Sequence, residues 1–206
     1  MKVFINNEEI NIDESSKIGL GRSSYVYLYN KKAVKIYNDY GEKTNELYNY
    51  RLAKLKSLKL NHFILPKEIV YDESSNIIGY TMDYIKGCDG KIINYLDFNF
   101  FKKNILEIYK EALILSKNNI LVYDVFSANV IINYKSIYII DTDGFLFNSY
   151  KGADINEEVL FSLNILIGKL LNITPNKKNS NIYEVLKYTN YKRIKTVSDF
   201  SKKLTK

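Results

Sequence analysis

The sequence predicts an α+β protein in two lobes, strand-rich over residues 1–85 and helical over 86–206. Three observations carry this reading. Short apolar runs, several alternating with polar residues, succeed one another in the first part, broken by one helical stretch at 40–58. Longer apolar stripes of helical period fill the second part, at 100–118 and 157–171. Between them Lys86-Gly87-Cys88-Asp89-Gly90 is a short, glycine-bearing connector and marks the boundary. A chain of 206 residues suits one large domain or two small lobes and can bury a real core.

The elements follow in order. Val3-Phe4-Ile5 and Ile10-Asn11-Ile12 flank Asn6-Asn7-Glu8-Glu9 as a hairpin. Gly19-Leu20-Gly21-Arg22-Ser23-Ser24 then leads into an alternating strand at 25–29. Glycines in a turn between strands let backbone N–H groups approach phosphate oxygens with no Cβ in the way. Gly-x-Gly alone is a common turn and a weak signal. The next strand, 32–37, carries Lys35 among apolar neighbours, where an ammonium needs a partner. The plainer reading of Lys35 is a lysine on an edge strand.

The helix at 40–58 holds two acids, Glu42 and Glu46, one turn apart, and either could pair with Lys35. Glu46 adjoins the apolar positions Leu47, Tyr50, Leu52, Leu55 and Leu58, whereas Glu42 near the start complements the helix dipole. Glu46 is therefore the preferred partner. Strands at 67–71 and 77–85 flank the turn Asp72-Glu73-Ser74-Ser75-Asn76. The helix at 100–118 presents Phe101, Ile105, Ile108, Ala112 and Leu115 on one stripe and delivers the chain to Tyr123-Asp124-Val125-Phe126-Ser127-Ala128-Asn129. Two β-branched strands follow, 130–132 and 137–140, closing on Asp141-Thr142-Asp143-Gly144. Asp124, Asn129 and Asp141 thus gather at one end of a small ribbon, a set of oxygen donors suited to Mg²⁺ and phosphate chemistry. Asp and Asn are also frequent in turns and caps, so each acid has an ordinary reading beside the functional one. After a short segment at 145–156 come a largely apolar helix at 157–171, a polar loop at 172–181 and two terminal helices at 182–188 and 196–204.

Composition narrows the function classes. Apolar residues make up 46% and charged residues 26%, the balance of a soluble globular protein rather than a disordered or fibrous one. No apolar run approaches the length needed to cross a bilayer, and the N-terminus is no signal peptide, so a cytoplasmic protein without a membrane partner is expected. The single Cys88 excludes an internal disulfide and is compatible with a reducing compartment. One histidine, His62, leaves little room for a His-based metal site or triad. The net charge of +7 invites a nucleic-acid reading. The lysines are scattered, however, and read as solvated faces, so nucleic acid is not the favoured partner.

The order of these features resembles the protein-kinase-like superfamily. Asp124 and Asn129 have the spacing of the catalytic loop H-R-D-x-x-x-x-N, and Asp141 follows as the metal-binding Asp does. Gly19, Gly21 and Val26 fit the Gly-rich pattern, with Ser24 where its third glycine belongs, and Ala33 and Lys35 fit Val-Ala-Ile-Lys. The resemblance spans residues 19–141. It implies a bilobal kinase-like fold, a β-rich N-lobe with one helix (1–85) and a shortened helical C-lobe (86–206). It implies ATP and Mg²⁺ as cofactors and a transfer of the γ-phosphate to a protein hydroxyl. Gly19, Gly21, Ser23, Ser24, Val26 and Ala33 would cover the nucleotide, with Met82, Asp83 and Tyr84 at the adenine. Lys35, fixed by Glu46, would hold the phosphates, Asp124 would orient the acceptor, and Asn129 with Asp141 would bind metal. Asp143 is an alternative metal ligand.

The departures bear on activity. Val122-Tyr123 replaces His-Arg, and Phe126-Ser127 stand where kinases acting on Ser/Thr carry a lysine. Ala-Pro-Glu is absent, as is the Asp expected in the 157–171 helix. A small-molecule acceptor, or a pseudokinase that binds ATP without transfer, therefore stays open beside the protein kinase.

Overall fold

A computed structural model describes residues 1–38, 45–90, 98–122 and 127–147. Within them the protein is α+β and strand-dominated. The chain divides into two compact units, the first made of Met1–Lys59 and Ile64–Ile85, the second of Leu60–Phe63 and the chain from Lys86 onward.

The first unit is one antiparallel sheet. Its strands are β1 (Lys2–Ile5), β2 (Glu8–Asn11), β3 (Lys17–Leu20), β4 (Ser24–Tyr29), β5 (Lys32–Tyr37), β6 (Glu68–Tyr71) and β7 (Ile77–Asp83), in the spatial order β2-β1-β6-β7-β5-β4-β3. Helix α1 (Asn45–Lys56) connects β5 to β6. Two hairpins are set by pairs of residues that accept positive φ. Asn6 and Asn7 (φ 52° and 65°) turn β1 into β2, and Asn30 and Lys31 (46° and 63°) turn β4 into β5. Asn6-Asn7 suffices for the first turn, so Glu8 and Glu9, expected in the loop, are strand residues paired with Ile5 and Phe4.

Residues facing each other across antiparallel strands share a face. Tyr27, Val34 and Ile36 lie on one face, where they join Val3, Ile5, Ile12, Val70 and Ile78 in a buried cluster. Gly79 is the point of closest backbone approach in this sheet. A Cβ there would stand 1.9 Å from the Lys35 carbonyl oxygen, so only glycine lets β7 and β5 pair at this register. Strand β7 ends at Asp83, two residues earlier than expected, because its partner β5 begins at Lys32, opposite Asp83. In α1, Leu52 and Leu55 are buried while Tyr50 is exposed, so the expected stripe does not include Tyr50.

The second unit is built on helix α2 (Phe98–Lys117), which buries Ile105, Ile108, Ala112 and Leu115 as its period predicts. Asn119, at φ 57°, ends it in the left-handed conformation common after helix C-termini. Strands β8 (Cys88–Asp89), β10 (Val130–Ile132) and β11 (Ile137–Ile139) form a three-stranded sheet, and β9 (Ile120–Leu121) pairs with β12 (Leu146–Phe147). A Cβ on Gly87 would come within 2.6 Å of the Ile132 carbonyl oxygen, which fixes glycine beside β8. Phe63 bridges to Ile139 and packs edge-on against Phe145, with ring centroids 5.9 Å apart. The expected helices at 157–171, 182–188 and 196–204 lie outside the described residues, as do positions 40–44 of the first helix. No helix among the described residues is long and apolar enough to cross a membrane.

Candidate functional site

In the first unit, sheet register collects most of the residues singled out for the nucleotide. Val26 of β4 pairs with Lys35 of β5, which pairs with Tyr80 of β7. One row along, Leu28 pairs with Ala33, which pairs with Met82. These side chains share the face opposite the apolar cluster, because Lys35 and Ala33 alternate with Val34 and Ile36. Gly19 pairs with Val26 from the outer strand β3, and a Cβ on it would stand 3.3 Å from the Val26 Cβ. The turn that follows is tight. Gly21 N–H donates to Ser24 O at 2.8 Å and Asn38 N–H to Ser23 O at 2.9 Å, with Ser24 buried.

Lys35 is only 6% exposed. Strand β5 runs between β4 and β7, so the edge-strand reading of this lysine fails. Its ammonium lies over two aromatic rings, 5.9 Å from the centroid of Tyr37 and 5.7 Å from that of Tyr80. Ala33 and Met82 are also buried. At the end of β7, Asp83 is exposed and accepts from the Lys67 ammonium at 2.6 Å, and Tyr84 is exposed. Glu42 lies outside the described residues. Glu46 is the second residue of α1, and its side chain lies outside the description.

In the second unit, the β10–β11 hairpin brings Asn129 and Asp141 to one end. Val130 pairs with Ile139, and Ile140 N–H donates to Asn129 O at 2.9 Å, so Asn129 and Asp141 stand at the same end of the ribbon. Asn129 is buried. Asp141 takes a left-handed backbone, φ 65° and ψ 38°, and opens a 3-10 turn over Thr142–Gly144. Asp tolerates this region better than most residues, yet a non-glycine left-handed residue is uncommon, and such conformations gather at functional sites. Thr142 is fully buried, and Asp143 follows it half-buried in the same turn. Asp124 lies outside the described residues.

The donor chemistry of Asn129, Asp141 and Asp143 fits a hard cation. Among the described residues no group of three or more His, Cys, Asp and Glu gathers that could hold a metal. Mg²⁺, however, is bound through one or two carboxylates, keeping waters and sharing substrate phosphates.

Two polar clusters had no signal in the sequence. On α2, the buried Glu111 accepts from Asn61 N–H at 2.8 Å and His62 N–H at 2.9 Å. His62 Nδ1 meets the Ile137 carbonyl at 2.8 Å, and because a carbonyl only accepts, that nitrogen carries the proton. Asn104 Oδ1 accepts from Ser136 Oγ at 2.6 Å and Ile137 N–H at 3.0 Å. The lone histidine is thus a structural tie to β11. In the first unit Glu68 accepts from both Lys32 (2.7 and 2.8 Å) and Thr81 Oγ1 (2.7 Å). Lys32, followed by Thr81 and Asn6, holds the Glu68 carboxyl below its ordinary value, against the opposing effect of burial. A cavity of about 240 Å³ opens beside this pair, lined by Ile5, Ile10, Lys32, Val34, Glu68 and Thr81 among others, and none of the residues singled out for the nucleotide lines it. Its most buried acid is already engaged inside the protein. No family model matches the chain, and no curated protein matches it.

Proposed function

We propose that this chain is an ATP- and Mg²⁺-dependent phosphotransferase of kinase-like, bilobal fold, moving the γ-phosphate of ATP to a protein Ser/Thr hydroxyl in the cytoplasm. What supports it most is Lys35, a buried ammonium on an interior strand, flanked on its own face by Val26, Ala33 and Met82. Counted from the Gly-x-Gly strand, Lys35 stands on the third strand, as the kinase lysine does, with a helix directly after it. The left-handed Asp141 beside Asn129 adds a second, independent support.

In this reading each residue acts by position and charge, since phosphoryl transfer asks little covalent chemistry of the protein. Lys35 neutralises the α- and β-phosphates and Glu46 steadies it. The turn between β3 and β4, with Gly19 and Ser24 at the strand ends that flank it, covers the phosphates, while Met82, Asp83 and Tyr84 border the base. Asp124 orients the acceptor hydroxyl and takes its proton. Asn129 and Asp141, with Asp143 in reserve, would hold Mg²⁺, whose charge offsets that of the phosphates when bound. The exchange of His-Arg for Val122-Tyr123 favours a second reading, an ATP-dependent binding module without transfer. A small-molecule acceptor serves the same chemistry.

Thermal denaturation with and without Mg·ATP tests the nucleotide site. A ligand at a hundred times its dissociation constant adds about 2.7 kcal/mol, which raises the melting temperature of a domain this size by roughly 5–10 °C. Native protein should show that rise, and Lys35→Ala and Asp141→Ala should lose most of it. No rise in the native protein at saturating Mg·ATP would overturn the proposal.

A further inference from the structure

The sequence offers Lys35 an acid, Glu46, and the structure shows what else surrounds its ammonium. Buried at 6% exposure, an ammonium is costly unless compensated, and a flexible four-carbon stem does not aim itself. The structure puts two aromatic rings around it. Tyr37 lies two residues along the same strand and therefore on the same face, and Tyr80 is its direct cross-strand partner. Both rings are almost wholly buried, at 3% and 0% exposure. They meet each other edge-on, with centroids 6.3 Å apart and planes at 60°. The Lys35 nitrogen is over both, within the distance at which a ring quadrupole attracts a cation. Backbone packing holds the cradle itself: at Gly79, next to Tyr80, β7 presses so close to the Lys35 carbonyl that no side chain fits.

We infer that Tyr37 and Tyr80 are positioning residues for Lys35, forming an aromatic cradle that holds its ammonium where phosphate oxygens will meet it. The phosphate part of this inference rests on the phosphotransferase reading. The cradle does not. Its chemistry demands aromatic faces rather than hydroxyls, so phenylalanine should replace either tyrosine, and an aliphatic side chain of similar bulk should not. That pattern separates positioning from packing.

The experiment compares Tyr80→Met with Tyr80→Phe, and Tyr37→Met with Tyr37→Phe, in the full chain. Mg·ATP binding is measured by calorimetry, and the Lys35 Hε resonances by NMR without nucleotide. The expected result is a roughly threefold to tenfold weaker Mg·ATP affinity in each Met variant, with each Phe variant within about twofold of native. The Lys35 Hε protons, shifted upfield by the ring currents in the native protein, should move toward ordinary lysine values in the Met variants and hold in the Phe variants. Met and Phe variants of equal affinity, both native-like or both weakened, would overturn the positioning role. If Tyr80→Met fails to fold, the Tyr37 pair decides on the same criteria. If native protein binds no Mg·ATP, the phosphotransferase reading fails and the NMR arm still rules on the cradle: Lys35 Hε protons at ordinary values in native protein would end it.

Discussion

Glu68 shows how one side chain ties the acid sensitivity of the first unit to its geometry. Its carboxylate receives the Lys32 ammonium, the Thr81 hydroxyl and the Asn6 amide, and its pKa is lowered from the ordinary 4.5, with Lys32 the main cause. A lowered pKa in the fold means that the linked stability is present in full above pH 4.5 and is lost as pH falls through the folded value. Urea unfolding at pH 7 and at pH 3 should therefore show a shallower acid loss in Glu68→Gln than in native protein. Equal slopes would show that Glu68 is not linked to folding. The exposed Asp13, held by Ser15, and the half-buried Asp72, lowered by Asn76 and Ser74 against the opposing effect of burial, share the same direction and leave a residual slope. At this scale Lys35 was legible, since an ammonium inside an apolar strand announces itself. Tyr37 and Tyr80 were not, because a tyrosine in a strand of a tyrosine-rich chain carries no mark of what lies over its ring.

Among the elements, α2 does more than bury an apolar stripe. Glu111, on its buried side, caps the backbone of Asn61 and His62, and Asn104 receives the start of β11. Replacing Glu111 by Ala leaves the buried His62 N–H without its acceptor, at a cost of about 1–3 kcal/mol. The urea midpoint should fall accordingly with the m-value unchanged. Glu111→Gln keeps one acceptor oxygen and should lose less. A midpoint equal to native in Glu111→Ala would show that the contact contributes nothing net. Elements of clear period were readable. The stripe of α2 and both strands of the β10–β11 hairpin stand within two residues of the expected bounds, because Ile105, Ile108, Ala112 and Leu115, and the β-branched runs, repeat without interruption. The two-residue strands β8, β9 and β12 were not expected. Each exists only because a partner distant in sequence supplies its hydrogen bonds, as Phe147 does for Ile120. The Asn6-Asn7 turn was placed but read two residues too long, since Glu8 and Glu9 look like loop residues until the register pairs them.

For the molecule as a whole, the strand-rich α+β character of the first part, with one helix among its described residues, was legible from alternation. A unit boundary falls after Ile85, next to Lys86-Gly87. The contribution of Leu60–Phe63 to the second unit was not, because it depends on Glu111, Ile137 and Ile139, each 49 or more residues away for its bond to His62. The phosphotransferase proposal joins features of both units: the buried Lys35 on its interior strand, and Asn129 and Asp141 at the end of their ribbon. Its most direct test is transfer of radiolabelled γ-phosphate from ATP, with Mg²⁺, by native protein and by Asp124→Ala and Asp141→Ala, followed both as release to water and as incorporation into protein. The account predicts turnover by native protein that falls by about 10²-fold or more in each variant. Turnover of the same background level in all three proteins would contradict it.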